Sequence, residues 1–257
     1  MAEAQTPEEV QPEQEVNFPS QEEIAKAMSE MTPERQKEMQ ENMQKMQQEQ
    51  IENAQKQQKE QIEALSKVLV DFTPMFLEYV PKAVRSEATL QPFVNETINN
   101  RIAHSIIGIN TELSELNKAV YLEDKVNIIE ELGDILWYLA VAQDELKFLD
   151  TLDLDANTIK SIMAGKDTSY SIDVMDLLKR SMFYGSDFKT ENCVKPYQSI
   201  YIGVVVNSLK LGTDLSEIID VNLKKLFKRY PEQFEKELAE LRDLDAERKT
   251  MEDAVAK

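Results

Sequence analysis

Apolar residues recur at helical spacing along most of this 257-residue chain. Two successive stretches show it best, from residue 92 to about 120 and from about 125 to 148, where apolar positions lie three and four residues apart. The two stripes consist of Val94, Ile98, Ile102, Ile106, Leu113 and Leu116, and of Ile128, Leu132, Ile135, Leu139 and Leu146. This spacing predicts two amphipathic helices separated by a break around Tyr121 to Asp124.

The C-terminal part shows the same periodicity, after a looser connection that we expect over residues 150–171. Further helices are predicted at about 173–183, 196–210, 214–229 and 232–254. Thr213 is the expected N-cap of the third of these helices, and Pro231 separates the last two. The run from Ile200 to Val206 is the only candidate strand, and the helical spacing on either side favours a helix. The sequence therefore predicts an all-α helical bundle.

The N-terminal part has a different composition, because residues 1–67 hold 14 of the 18 glutamines and carry a net charge of -8. Residues 1–31 contain too few apolar side chains to order themselves, so we expect an acidic, disordered tail. Thr32 followed by Pro33 predicts a helix start, with the hydroxyl as the cap and the proline in the first turn. We therefore expect a polar, Gln/Met-rich helix over residues 32–72.

Two interpretations of this polar helix stay open. Met39, Met43 and Met46 recur at roughly helical spacing, which suits a coiled coil or a helix that docks on a protein partner. The other interpretation is a solvated, partly helical tail. Residues 73–257 are expected to form the folded all-α domain.

Composition excludes several kinds of site. No two of the six glycines have the spacing of a G-x-x-x-x-G-K or G-x-G-x-x-G phosphate loop, and a single cysteine and a single histidine exclude disulfides and thiolate or multi-histidine metal sites. A net charge of -19 argues against binding a nucleic-acid polymer. No apolar run is long enough to span a membrane, and the acidic amino terminus does not resemble a signal peptide, so a cytoplasmic location is expected.

Two pairs of carboxylates carry the candidate chemistry. Glu112 and Glu115 lie three residues apart on the first predicted helix, and Glu131 and Asp134 repeat this spacing on the second. If the helices are antiparallel, the four carboxylates converge, and their mutual repulsion favours a hard divalent cation, Mg²⁺ first and Mn²⁺ second.

A solvated helix face is the alternative, because the same spacing occurs at pairs such as Glu49 and Glu52. Two observations distinguish the central pairs. They adjoin apolar stripes, and Gly108 and Gly133 lie inside the same helices, where glycine usually marks a close approach to the backbone.

At these positions the chain resembles a known family. The segments HSIIGINTELSEL and NIIEELGDILWYLA contain E-x-x-E followed one helix later by E-x-x-D, and DVNLKKLFKRYPEQF contains N-x-x-K-L-x-x-R-Y-P. Together they resemble the MazG-like, all-α nucleoside triphosphate pyrophosphohydrolases, in an arrangement most like bacteriophage members. The resemblance covers roughly residues 90–248 and is weakest over residues 150–195.

The resemblance implies a helical domain, dimeric or higher, that uses Mg²⁺ to hydrolyse a nucleoside triphosphate to a monophosphate and pyrophosphate. It implies residues 73–257 as the catalytic domain and, if the chain is phage-encoded, the host cytoplasm as its location. The implied metal ligands, which are also the catalytic residues, are Glu112, Glu115, Glu131 and Asp134. The residues implied to approach the substrate, at its phosphates, are Asn222, Lys225 and Arg229.

A second function stays open beside this one. The long polar N-terminal part suits a helical interaction or assembly module that binds a protein partner and performs no chemistry. A third interpretation combines an active domain with such a tail.

Overall fold

The computed structural model describes residues 32–90, 98–152, 154, 156–237 and 244–255, and no strand occurs in these ranges. The all-α prediction is confirmed. The chain divides into two compact units, Met1–Gln58 and Lys59–Lys257. The disorder expected over residues 1–31 lies outside the described residues. None of the described helices is long and apolar enough to cross a membrane.

The helices take up most of the described chain. Their bounds are α1 Pro33–Val84, α2 Asn100–Tyr121, α3 Lys125–Leu146, α4 Ala156–Ser161, α5 Asp167–Tyr184, α6 Val194–Lys210, α7 Leu215–Arg229 and α8 Leu244–Val255. Two 3₁₀ turns lie at Phe148–Thr151 and Thr190–Cys193, and a π-helical turn at Ile162–Lys166 joins α4 to α5.

Helix α1 begins at Pro33, as the sequence predicts, but it continues through Pro74 and Pro81 to Val84. The boundary expected at residue 73 therefore lies inside a helix. The reason is a buried apolar stripe with alternating spacings of three and four residues, formed by Ile62, Leu65, Leu69, Phe72, Phe76, Tyr79 and Ala83. Each large side chain in this stripe gains about 1.5–3 kcal/mol on burial, so together they outweigh the cost of roughly 3 kcal/mol for an internal proline.

Helices α2 and α3 form the central pair and pack along each other. The Asn99 side chain caps α2 by accepting a hydrogen bond from the amide of Ile102, and Asp124 caps α3 in the same way through Asn127. Helix α2 thus begins at Asn100 instead of near residue 92, because Asn99 has an extended backbone and its side chain caps the helix. Residues 91–97, including the expected stripe position Val94, lie outside the described part of the chain.

Three other expectations need correction. The connection expected over residues 150–171 is largely helical, since α4, the π turn and α5 follow one another from Ala156 to Tyr184. Asp214, not Thr213, caps α7, because its carboxylate accepts from the amides of Ser216 and Glu217.

The last correction concerns the helix expected over residues 232–254. Residues 231–235 are not helical in the structure, residues 236–237 are helical, and α8 begins at Leu244. The interruption at Pro231 therefore extends to residue 235. Residues 238–243 are outside the described ranges.

Candidate functional site

A cleft of about 410 Å³ lies in the second unit, among the end of α1, helices α2 and α3, and the C-terminal end of α7. Carboxylates line one part of it and aromatic side chains line another. The residues on its wall are Ser86, Ala88, His104, Glu112, Glu115, Glu130, Glu131, Asp134, Trp137, Tyr138, Lys225, Leu226, Arg229, Tyr230 and Phe234. A volume of this size lies within the range of small-molecule sites.

Three of the four predicted metal ligands meet in this cleft. One carboxylate oxygen from each of Glu112, Glu115 and Glu131 lies within 4.8 Å of the other two. Glu112 and Glu115 are one turn apart on α2, and Glu131 projects from α3, which packs against it. The antiparallel return of the chain thus brings the two motifs together, as their spacing predicts.

Burial makes this cluster costly when it is fully ionised. Glu131 is only 8% exposed. Its burial, followed by a hydrogen bond to Glu112 and the charges of Asp134 and Glu130, raises the pKa of the Glu131 carboxyl to about 9. Burial, together with the charge of Asp134, also raises the pKa of Glu112. Without a cation, the cluster therefore favours holding a proton.

Asp134 lies outside the cluster of three and has cationic and amide partners instead. Its Oδ1 accepts a hydrogen bond of 2.9 Å from Asn222 Nδ2, and its Oδ2 forms a close ion pair with Lys225 Nζ. Lys225 Nζ also lies 3.0 Å from Glu130 Oε1. Two of the residues expected to approach substrate thus contact a predicted metal ligand.

Lys225 is almost fully enclosed, with 3% of its side chain exposed. Burial lowers the pKa of this ammonium, but the charges of Asp134 and Glu130 outweigh burial, so the net pKa is raised. A buried ammonium between two carboxylates holds α7 against α3, and removing one partner of such a group is strongly destabilising.

Arg229 lies on the cleft wall, but its guanidinium is engaged by α8. Its Nε donates to Glu247 Oε1 at 3.0 Å, and its Nη2 donates to Glu247 Oε2 at 2.5 Å. This bidentate geometry is the one that arginine also uses to bind phosphate. To bind a substrate phosphate, the Arg229 guanidinium would have to leave Glu247 or bind both groups at once.

The aromatic part of the cleft is organised around the end of α1. Trp137 Nε1 donates to Ser86 Oγ at 2.9 Å and to the Ala83 carbonyl oxygen at 3.1 Å, which fixes the indole ring. His104 contacts Trp137 and Tyr138 edge-on. Its Nδ1 is buried without a hydrogen-bond partner among the described residues, and burial lowers the pKa of the imidazole.

The two glycines selected from the sequence do mark close approaches. A Cβ at Gly108 would lie 2.1 Å from the ring of Tyr138, and a Cβ at Gly133 would lie 2.9 Å from Cβ of Asn222. Their absent side chains let α2 and α7 approach α3 closely beside the carboxylates.

Sequence reasoning missed several residues that shape the site. Glu130 pairs with Lys225, and Glu247 pairs with Arg229. Tyr79 donates a 2.7 Å hydrogen bond to Asn222 Oδ1. Tyr79 and Glu247 come from helices outside the two carboxylate motifs. Of these three residues, only Tyr79 could have been noticed in the sequence, because it falls on the apolar stripe of α1.

The donor set fits a hard divalent cation, because Glu112, Glu115 and Glu131 offer only carboxylate oxygens within 4.8 Å of one another. Comparison of the chain with protein-family models, with curated proteins and with solved structures gave no match. The likeness to MazG-like enzymes therefore rests on the sequence motifs alone.

Proposed function

We propose that the chain is a MazG-like, Mg²⁺-dependent pyrophosphohydrolase, which converts a nucleoside triphosphate to a nucleoside monophosphate and pyrophosphate. The observation that carries this proposal is the convergence of Glu112, Glu115 and Glu131 in a cleft of about 410 Å³. A cytoplasmic setting and a dimeric or higher assembly belong to the same proposal.

Glu112, Glu115 and Glu131 would hold Mg²⁺, or Mn²⁺ in its place, with Asp134 beside them. When bound, the cation supplies charge neutralisation for the phosphates and lowers the pKa of an attacking water. The carboxylates fix its position because they project from two packed helices.

The remaining polar groups orient this centre. Asn222 and Lys225 hold both oxygens of Asp134, so its carboxylate plane is fixed before any substrate binds. Each oxygen keeps a second lone pair that can face the cleft. A carboxylate oxygen of Glu112 or Glu115 that does not bind the cation is the acceptor for a proton released from water.

Release of pyrophosphate from a panel of ribo- and deoxyribonucleoside triphosphates tests the proposal. Glu131→Gln is expected to lower Mg²⁺-dependent release by at least about 100-fold, since it removes a ligand charge and keeps the side-chain shape. The matched control is Glu49→Gln, the same change on the exposed surface of α1, which should keep wild-type activity. Pyrophosphate release that survives Glu131→Gln would refute the assignment.

One observation favours a second candidate function, an interaction module. In the first unit, residues 33–58 form a helical segment whose side chains are exposed except for the half-buried Met39, and Met43 and Met46 are 52% and 61% exposed. An exposed polar helix with methionines suits a coiled coil or a protein partner.

Deleting residues 1–58 tests which of these functions is present. The deletion spares the buried stripe of α1, which begins at Ile62, so the folded domain should be retained. An active domain with a tethering tail predicts unchanged turnover and lost association. A pure interaction module predicts that the intact protein shows no Mg²⁺-dependent binding of a non-hydrolysable triphosphate in isothermal titration.

A further inference from the structure

Asn222 is held from three sides, and one of them is a buried tyrosine on α1. Tyr79 is 1% exposed, and its hydroxyl lies 2.7 Å from Asn222 Oδ1. The Asn222 amide nitrogen lies 2.9 Å from Asp134 Oδ1. Gly133 packs against the Asn222 side chain on the third side.

Only one orientation of the Asn222 amide satisfies both partners. The Asp134 carboxylate is an acceptor, so it needs the NH₂ group, and the amide oxygen must then face Tyr79, whose phenol donates. The reversed amide would place its oxygen against a carboxylate oxygen and leave two acceptors in contact. Asp134 therefore fixes the orientation, and Tyr79 holds it by donating to the amide oxygen that this orientation presents.

The phenol holds its proton at neutral pH and can therefore donate. Burial first, and the charge of Asp134 second, raise the pKa of Tyr79 well above its ordinary value. The ring itself is fixed by contact with Phe76, its neighbour on the buried stripe of α1.

We infer that Tyr79 is a positioning residue for the candidate metal centre, acting through the Asn222 amide on Asp134. The inference rests on the proposed function for its consequence at the metal centre, while the amide orientation follows from the hydrogen bonds alone. It places part of the site on α1, outside the stretch that carries the family resemblance.

The test compares Tyr79→Phe with Tyr201→Phe in the full-length protein. Tyr201 is also buried, lies among α1 aromatic rings, and uses its hydroxyl at 3.1 Å from Thr73 Oγ1 instead of at the site. Both changes remove one buried hydroxyl and keep the ring, so both should fold and lose similar, modest stability.

The first measurement is the side-chain NH₂ signal of Asn222 in ¹H–¹⁵N spectra, assigned by its loss in Asn222→Ala. Tyr79→Phe is expected to shift this signal and to speed its solvent exchange by about tenfold, the equivalent of one lost hydrogen bond. Tyr201→Phe should leave it unchanged. An unchanged Asn222 signal in Tyr79→Phe would overturn the inference.

The second measurement is Mn²⁺ affinity, from the free-ion signal in electron paramagnetic resonance. We expect Tyr79→Phe to weaken Mn²⁺ binding by roughly tenfold, at the lower end of the loss seen when a group supporting a ligand is removed, and Tyr201→Phe to stay within about twofold. Equal affinities in both variants would overturn the role of Tyr79 at the metal centre. If the wild-type protein binds no Mn²⁺, the proposed function fails, and the amide signal alone decides whether Tyr79 orients Asn222.

Discussion

At the scale of single residues, the site depends on what two side chains lack. Gly108 and Gly133 each lie inside a helix, where glycine costs about 1 kcal/mol relative to alanine. Both face a neighbour that leaves no room for a methyl group. Glycine at these positions therefore lowers helix stability but allows the helices to pack closely beside the carboxylates.

Gly133→Ala is expected to destabilise the protein, although alanine favours the helix. The added Cβ would lie 2.9 Å from Cβ and 3.0 Å from Nδ2 of Asn222, and overpacking of this kind costs about 1–3 kcal/mol. Because the helix recovers about 1 kcal/mol, the net cost is about 1 kcal/mol at the middle of this range, and we expect the melting temperature to fall by roughly 2–4 °C.

Thermal denaturation followed by circular dichroism measures this change. Ala140→Gly on the same helix is the opposite substitution at a fully buried position, and it should also lower the melting temperature, since there the methyl group is accommodated. A higher melting temperature for Gly133→Ala would mean that Asn222 can move away without cost.

The candidate ligands could be predicted from the sequence because each pair is local, three residues apart on one helix. Their partners could not. Lys225 and Asp134 are 91 positions apart, and no local pattern connects them. Glu247 could not be predicted either, because it lies 18 positions from Arg229 and on a different helix.

At the scale of helices, α1 shows how burial overrides local signals. Thr73 and Pro74 predict a boundary, yet the buried stripe runs past them without a break. The Thr73 hydroxyl donates to the Leu69 carbonyl oxygen at 2.7 Å, within the turn that precedes the proline. The spacing of apolar residues, which predicted the presence of α2 and α3 although not the start of α2, was the better guide here as well.

Leu69→Ala tests the contribution of this stripe. Leu69 is 0% exposed, so truncation is expected to cost about 2–5 kcal/mol in the free energy of unfolding. The adjacent Val70 is 60% exposed, and Val70→Ala should change stability by less than about 0.5 kcal/mol. Equal effects in urea denaturation would show that α1 does not belong to the core as placed.

The ion pair between Arg229 and Glu247 joins α8 to α7, and a substitution at Glu247 tests its contribution to stability. Both side chains are largely buried, so Glu247→Gln should cost roughly 1–3 kcal/mol. The control Glu252→Gln removes one partner of the more exposed pair with Arg248 and should cost less than about 0.5 kcal/mol.

Melting temperatures of both variants, with and without a triphosphate and Mg²⁺, check this prediction. Glu247→Gln also releases one charged partner of Arg229, so the gain in melting temperature on adding triphosphate should be larger than in wild type. A smaller gain would mean that Glu247 supports the binding geometry of Arg229.

At the scale of the whole molecule, the charge of -19 has two sources. Within the described ranges, most acidic side chains are exposed, and dissolved salt screens their charge within about 8–10 Å. In the cleft, Glu131 is buried and Glu112, Glu130 and Asp134 are half-buried, and dissolved salt screens such groups much less. The effect of salt on exposed charges can therefore be distinguished from the binding of a cation in the cleft.

We expect Mg²⁺ to raise the melting temperature more than NaCl at equal ionic strength. At ten times its dissociation constant, a ligand that binds only the folded state adds about 1.4 kcal/mol, or roughly 3–5 °C here. Glu131→Gln should remove this excess and leave the NaCl effect unchanged. Identical responses of the wild-type protein to the two salts would exclude a specific site.

The crowding of Glu112, Glu115 and Glu131 bears on how the protein would evolve. Their cluster is a point of local frustration, where folding alone would prefer other residues. Laboratory selection for thermal stability in the presence of a chelator should therefore enrich neutral replacements at Glu131 first, and under the proposed function pyrophosphohydrolase activity should fall as stability rises. The same selection with Mg²⁺ present should retain all three glutamates.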